Sequence, residues 1–246
     1  MSELYPPESQ RMDLVGHLDE LRRRILVCLV FLIVVTAVLF SQGHSLLAFL
    51  ELPARGSIRE FIFTSPTEAF ATYFKVVLFA AFVACFPVIL YQVWGFLSPA
   101  LPRTSRRAVL AWLLFAMVSF LGGIVFSYGV LLPSAFHFLV GFGEGIARPM
   151  ISLSQYFSFA VAIVLIGGLA FEIPFVMGIL TEAGILQSRA LRSGRRYAIL
   201  GIIIAAAVIT PTQDIFNMAI FAGPMILLYE VGLLLCCSIE RSKIRS

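Results

Sequence analysis

Glu20 stands out by its company: His17, Leu18, Asp19, Glu20, Leu21, Arg22, Arg23 and Arg24 follow one another directly before a long apolar stretch. On a helix, Leu14, Leu18, Leu21 and Ile25 share one stripe, and Asp13, His17, Glu20 and Arg24 share the neighbouring one. A carboxylate so placed can accept paired bonds from a guanidinium, which makes the Glu20 face a candidate recognition site for a basic partner. The plainer alternative is an interfacial amphipathic helix in which Glu20 and Arg24 form an i,i+4 pair worth about 0.3 kcal/mol.

Glu172 is a second kind of signal. It precedes Pro174 inside an apolar stretch, where a carboxyl group is costly unless protein, water or a partner faces it. Pro174 has no N–H for the carbonyl of Ala170, so the segment should bend there, and Gly167 and Gly168 let another backbone approach. Glu172 and Pro174 are therefore candidates for an intramembrane functional contact; the plainer account of Glu172 is a hydrogen bond to a neighbouring Ser, Thr or Tyr. Glu230 is expected to pair with Arg241 or Lys243, and Glu68 to favour the N-terminus of the helix it opens.

Other chemistry lacks its residues. His17, His44 and His137 do not form HExxH, and neither a GxSxG elbow nor a GxxxxGK[ST] loop occurs. Cys28, Cys85, Cys236 and Cys237 lie in apolar stretches without CxxC spacing and read as small core residues. The expectation is no catalytic residue, no cofactor, no metal and no enzyme, so any work must draw on a partner or an ion gradient.

These groups must be positioned by membrane helices. Of 246 residues, 60% are hydrophobic and 13% charged, against about 25% charged in soluble domains. A mean hydropathy of +0.96 completes the reading of an all-α membrane protein. Six apolar segments, at about 25–40, 69–96, 108–132, 155–180, 197–209 and 215–237, form a single polytopic domain over 1–246. The fourth is longer than a bilayer needs, the fifth is short, and Gly223 with Pro224 interrupts the sixth. Ser45 to Leu52 suits a short interfacial helix, and Pro133 to Leu153 has similar character. The first 24 residues are polar, so no cleavable signal peptide is expected.

The net charge of +4 would suit nucleic acid, but basic residues in a membrane protein record orientation. Of the 18 Lys and Arg residues, 14 fall before the first span, after the second, after the fourth or at the end of the chain. That places both termini in the cytoplasm and makes the lipid bilayer, not nucleic acid, the partner. Lys75 is expected to snorkel to the interface, and Tyr91, Trp94 and Phe96 to form an aromatic belt.

HLDELRRR closely resembles the HLxELRxR signature of the TatC family, the multispanning subunit of the twin-arginine protein translocase. Pro87 to Trp94 reads PVILYQVW, and Phe96, Pro99 and Leu101 follow as FxxPxL, similar to that family's first cytoplasmic loop. Ser65-Pro66-Thr67-Glu68, Phe171-Glu172-Ile173-Pro174, Thr210-Pro211 before Asp214, and Tyr229-Glu230-Val231-Gly232 extend the resemblance over nearly the whole chain. It departs at Ser105, where the family carries Glu. In the family that Glu and the one matching Glu20 receive the paired arginines of a signal peptide. Half of the expected acidic site is thus missing, and Asp19, about 100° around the helix from Glu20, is the candidate to compensate.

The resemblance implies a concave, glove-like bundle of six transmembrane helices, with a kinked fourth helix and a short fifth and sixth hairpin. It implies a core receptor that binds twin-arginine signal peptides through Leu18, Asp19, Glu20, Leu21, Arg22, Phe96, Pro99, Leu101 and Ser105. Assembly with TatA-type and TatB-type single-span subunits into a multimeric complex would follow, for export of folded proteins driven by the proton-motive force. Glu172 and Pro174 would meet those subunits or disturb the bilayer. The membrane would be the cell membrane or an organellar one. A small-solute transporter would also use a buried acid and a broken span, and a membrane scaffold would share the composition without recognising peptides.

Overall fold

The computed structural model describes residues 8–54, 61–62, 65–98, 106–142, 150–209 and 215–245, with side chains at 16–54, 61–62, 65–98, 109–141, 150–208 and 218–241. Its regular elements are helices: α1 (Glu8–Leu39), α2 (Gly43–Glu51), α3 (Pro66–Leu97), α4 (Arg106–Phe126), α5 (Leu132–Phe142), α6 (Leu153–Ala170), α7 (Ile173–Glu182), α8 (Ser188–Ile209) and α9 (Ile215–Arg245). Among the described residues, five helical stretches are long and apolar enough to cross a membrane: Gly16–Ala54, Pro66–Leu97, Val109–Gly141, Leu153–Glu182 and Met218–Arg241. The expected fifth span is the C-terminal half of α8. That helix begins at Ser188, and Arg189, Arg192, Arg195 and Arg196 make its first half polar.

The fourth expected span is broken into α6 and α7, and the sequence explains where. The Phe171 and Glu172 amides bond the Gly167 and Leu169 carbonyls, ending one helix. Pro174 then sits in the first turn of the next, where its missing N–H costs nothing. By contrast α9 runs unbroken through Gly223 and Pro224, correcting the expected interruption. Pro87 lies inside α3 in the same way. Small residues bring α4 onto α6: a methyl group on Gly168 would sit 2.8 Å from Ile124 Cδ1, and one on Gly123 would sit 2.9 Å from the Gly167 carbonyl oxygen. Beside this contact the chain makes one wide turn of π-helix, Ser127–Leu131, before α5.

Three hydrophobic cores follow from the packing. One joins α2, α5, α6 and parts of α3 and α9 around Leu132, Tyr156 and Phe157. A second stacks Phe86 of α3 on Phe120 of α4, with Trp94 and Phe175. A third packs Met177 of α7 against Tyr229 and Leu233 of α9. Trp94 is therefore a core residue rather than part of an interfacial belt, while Tyr91 is exposed. α2 covers most of the short helix expected at Ser45 to Leu52, and α5 covers the first part of Pro133 to Leu153. At their end of the bundle Tyr73 of α3 lies against Gly43, leaving no room for a side chain there, and its hydroxyl donates to the Phe40 carbonyl.

Polar groups tie the spans together. Glu68 opens α3, as expected, yet its Oε1 accepts from the Ser154 amide at 2.9 Å and from the Ser152 hydroxyl, so it caps α6. Lys75 does not snorkel: its Nζ donates to Ser158 Oγ at 2.5 Å within the α3–α6 interface. Glu230 pairs with Arg195 of α8 at 2.7 Å, not with the tail of α9. The Tyr229 hydroxyl donates to the Leu191 carbonyl at 2.9 Å, and Glu240 accepts from the Ser188 amide at 2.7 Å, so α8 and α9 are joined along their length. Because Glu68 satisfies an orphan amide of another helix, Glu68→Ala should cost about 2 kcal/mol. An unchanged thermal midpoint of the purified variant in detergent would sink that assignment.

Candidate functional site

The basic half of α1 lies along the C-terminal end of α3. The Arg24 guanidinium is held there from several sides. Its Nε and Nη2 both donate to Glu20 Oε1, at 3.0 and 2.5 Å. Its Nη1 donates to Gln92 Oε1 at 3.1 Å and to the Gln92 carbonyl at 3.4 Å. Gly95, one turn further along α3, lets the guanidinium lie against bare backbone, where even a methyl group would overlap it. One turn N-terminal to Glu20, the His17 ring stacks on Phe96 with centroids 4.2 Å apart.

Glu20 keeps an accessible oxygen. Its side chain is 37% exposed against 23% for Arg24, and Oε2 has no partner among the described residues. An ion pair this exposed is worth about 1 kcal/mol or less. A small pocket of about 280 Å³ lies between Glu20, Arg24, Val27 and Gln92. Beside it an open groove of about 530 Å³ follows α1 from Asp19, Arg22 and Arg23 to the apolar Leu26, Val30 and Phe31. The site is thus charged at one end and apolar along the rest.

The expected site residues fall out as follows. Leu18 is 64% exposed, Asp19 and Arg22 are exposed, and Leu21 and Phe96 are half-buried, all within this region. Pro99, Leu101 and Ser105 lie outside the described residues. Gln92 and Gly95 were missed as site residues. Their signal was spacing, since Gln92, Gly95 and Phe96 share one face of α3 at i, i+3 and i+4.

Glu172 forms a separate centre at the break between α6 and α7, together with Pro174, which is fully buried. Only 7% of Glu172 is exposed. The Phe120 backbone approaches it, but neither carboxyl oxygen meets hydrogen-bond geometry with any described donor. The plainer account, a structural hydrogen bond to Ser, Thr or Tyr, therefore has no support among the described residues. No group of His, Cys, Asp and Glu among them could hold a metal ion.

Comparison with known proteins agrees in sequence and in fold. The family described as TatC, Sec-independent protein translocase protein, matches residues 16–224. The Sec-independent protein translocase protein TatC of Koribacter versatilis is 37% identical over 228 residues, covering 90% of this chain and 84% of that protein. That of Deinococcus radiodurans is 36% identical over 237 residues, covering 94% and 87%. The chloroplastic TATC of Arabidopsis thaliana is 34% identical, covering 93% and 69%. A crystal structure of the twin-arginine translocase receptor TatC superposes with a TM-score of 0.80 at 34% identity, over 91% of this chain and 99% of that one.

Proposed function

The chain belongs to the TatC family of Sec-independent protein translocase proteins, and from that membership we propose that it binds twin-arginine signal peptides at the Glu20 site. As a member it is a multi-pass membrane component of a protein translocation complex and not an enzyme. The asymmetry of Lys and Arg puts the Glu20 end of the bundle, and both termini, in the cytoplasm.

The observation that carries this reading is the free oxygen of Glu20 beside a groove that passes from charged to apolar. A signal peptide has the same order, basic residues first and an apolar stretch after. Its guanidinium donates to Glu20 Oε2, and its apolar stretch lies along Leu26, Val30 and Phe31 toward the bilayer. Leu18, Leu21, Arg22 and Phe96 border the entrance, and the family resemblance adds Pro99 and Leu101, which lie outside the described residues. Ser105 supplies no charge, so Asp19, exposed at the groove's charged end, takes the second arginine.

Glu172, with Pro174 and the α8–α9 hairpin, engages TatA-type and TatB-type single-span subunits, which assemble with several copies of the chain into the export complex. The sequence has no recognised nucleotide-binding motif, and the family resemblance assigns the energy source to the proton-motive force.

Crosslinking tests the recognition step. A photoreactive residue replaces Leu18, and two precursors differ only in carrying Arg-Arg or Lys-Lys. The Arg-Arg precursor should crosslink strongly and the Lys-Lys precursor weakly, since lysine keeps the charge but loses the fork. Glu20→Gln should lower the Arg-Arg product by at least about 10-fold, the effect of one charge-assisted hydrogen bond. Asp19→Asn should lower it too, and no change there would remove Asp19 from the site. Equal crosslinks from both precursors would favour a transporter or a scaffold.

A further inference from the structure

The way Arg24 is held is more than a surface i,i+4 pair requires. Its two donors converge on one oxygen of Glu20, Gln92 fixes its third nitrogen through both side chain and carbonyl, and Gly95 gives up its side chain to make room. Arg22 and Arg23 line the adjoining groove with Asp19, so three guanidinium groups and two carboxylates lie on neighbouring faces of this one stretch of α1. A cationic peptide approaching this face meets a net positive charge, and Coulomb attraction alone does not draw it in.

What remains is directional. With Oε1 taken, Glu20 offers Oε2, and Arg24 shows on the opposite oxygen how a guanidinium uses such an acceptor: Nε–H and Nη2–H together on one oxygen. A peptide arginine can repeat that geometry on Oε2, while an ammonium centres one N–H on the same atom. We propose that Arg24 is the specificity-determining residue of the signal-peptide site: by occupying Oε1 and neutralising Glu20, it turns a general trap for cations into an acceptor that selects arginine over lysine. This rests on the reading of Glu20 as the signal-peptide acid. Gln92 and Gly95 are positioning residues, acting through Arg24.

The test uses the full chain in lipid nanodiscs and fluorescence anisotropy of labelled synthetic signal peptides bearing Arg-Arg or Lys-Lys. Arg24→Gln should tighten Lys-Lys binding by about 10-fold more than Arg-Arg binding, and so reduce the Arg-Arg to Lys-Lys preference about 10-fold. Gly95→Ala displaces the guanidinium without removing it and should bring the preference between wild type and Arg24→Gln. Arg24→Lys keeps the neutralising charge and should retain most of the preference, a rescue that a purely structural requirement for the Gln92 bonds would not give. Equal weakening of both peptides by Arg24→Gln, or an unchanged preference, overturns the proposal. If Glu20→Gln leaves Arg-Arg binding intact, the Glu20 site itself is wrong. If Glu20→Gln abolishes binding while the Arg24 variants keep full selectivity, only the role of Arg24 fails.

Discussion

Glu172→Gln should abolish transport of a folded precursor while leaving signal-peptide binding within about 2-fold and the protein no less stable. The residue is buried at the α6–α7 break, and neither carboxyl oxygen has a hydrogen-bond partner among the described residues. A buried polar group left unsatisfied costs about 1–3 kcal/mol, and an isosteric amide in the same place breaks no hydrogen bond, so the change adds little to a penalty already present. A group kept at a loss to stability is one that function requires, and an acid inside a span fits a contact made only when a partner arrives. The Glu20 site lies at another part of the bundle, so peptide binding has no reason to fall. Transport into membrane vesicles, peptide anisotropy and thermal unfolding in detergent together decide it. A variant that unfolds several degrees earlier, or that loses peptide binding in proportion to transport, would make Glu172 a structural residue.

Gly123→Ala should destabilise the protein strongly and Gly122→Ala should not, although the two positions are adjacent on α4. A methyl group on Gly123 would stand 2.8 Å from Cβ and Cγ of Phe171 and 2.9 Å from the Gly167 carbonyl oxygen, whereas one on Gly122 meets nothing within 4 Å. Backbone cannot retreat as a flexible side chain can, so the Gly123 change costs about 1–3 kcal/mol. At Gly122 alanine removes the helical glycine's entropy cost, for a gain of about 0.5–1 kcal/mol. Thermal midpoints of the purified variants should move in opposite directions. Parallel shifts would mean that α4 and α6 are not in contact through these glycines.

Much of this was legible in the sequence because membrane spans need long apolar runs and helix breaks need proline in a stated place. The break at Pro174 and the short helix α2 followed from such local signals. Pro224 shows the limit: the same residue type, inside α9, leaves the helix unbroken because packing against α7 and α8 outweighs one missing backbone bond. Which partner a charge chooses was not legible either. Glu230 lies nearer in sequence to Arg241 yet pairs with Arg195, since α8 and α9 run side by side. Lys75 finds Ser158 for the same reason, across α3 and α6. At the candidate site, Glu20 announced itself through its neighbours in sequence. Gln92 and Gly95 did not, because an amide and a glycine acquire meaning only when α3 is laid against α1.

Two clamps on the apolar half of α1 explain how such a slender contact can matter at a distance. Midway along α1 Arg24 is gripped by Gln92 and Gly95 of α3, and just past the end of α1 Tyr73 of the same helix, α3, bears on Gly43 and the Phe40 carbonyl. Between these two clamps most of α1 faces outward. A strut fastened at both ends does not swing when pushed; it carries load along its axis. If a signal peptide binds at Glu20 as proposed, its push on that clamp is carried along the span toward α2, at the other clamp.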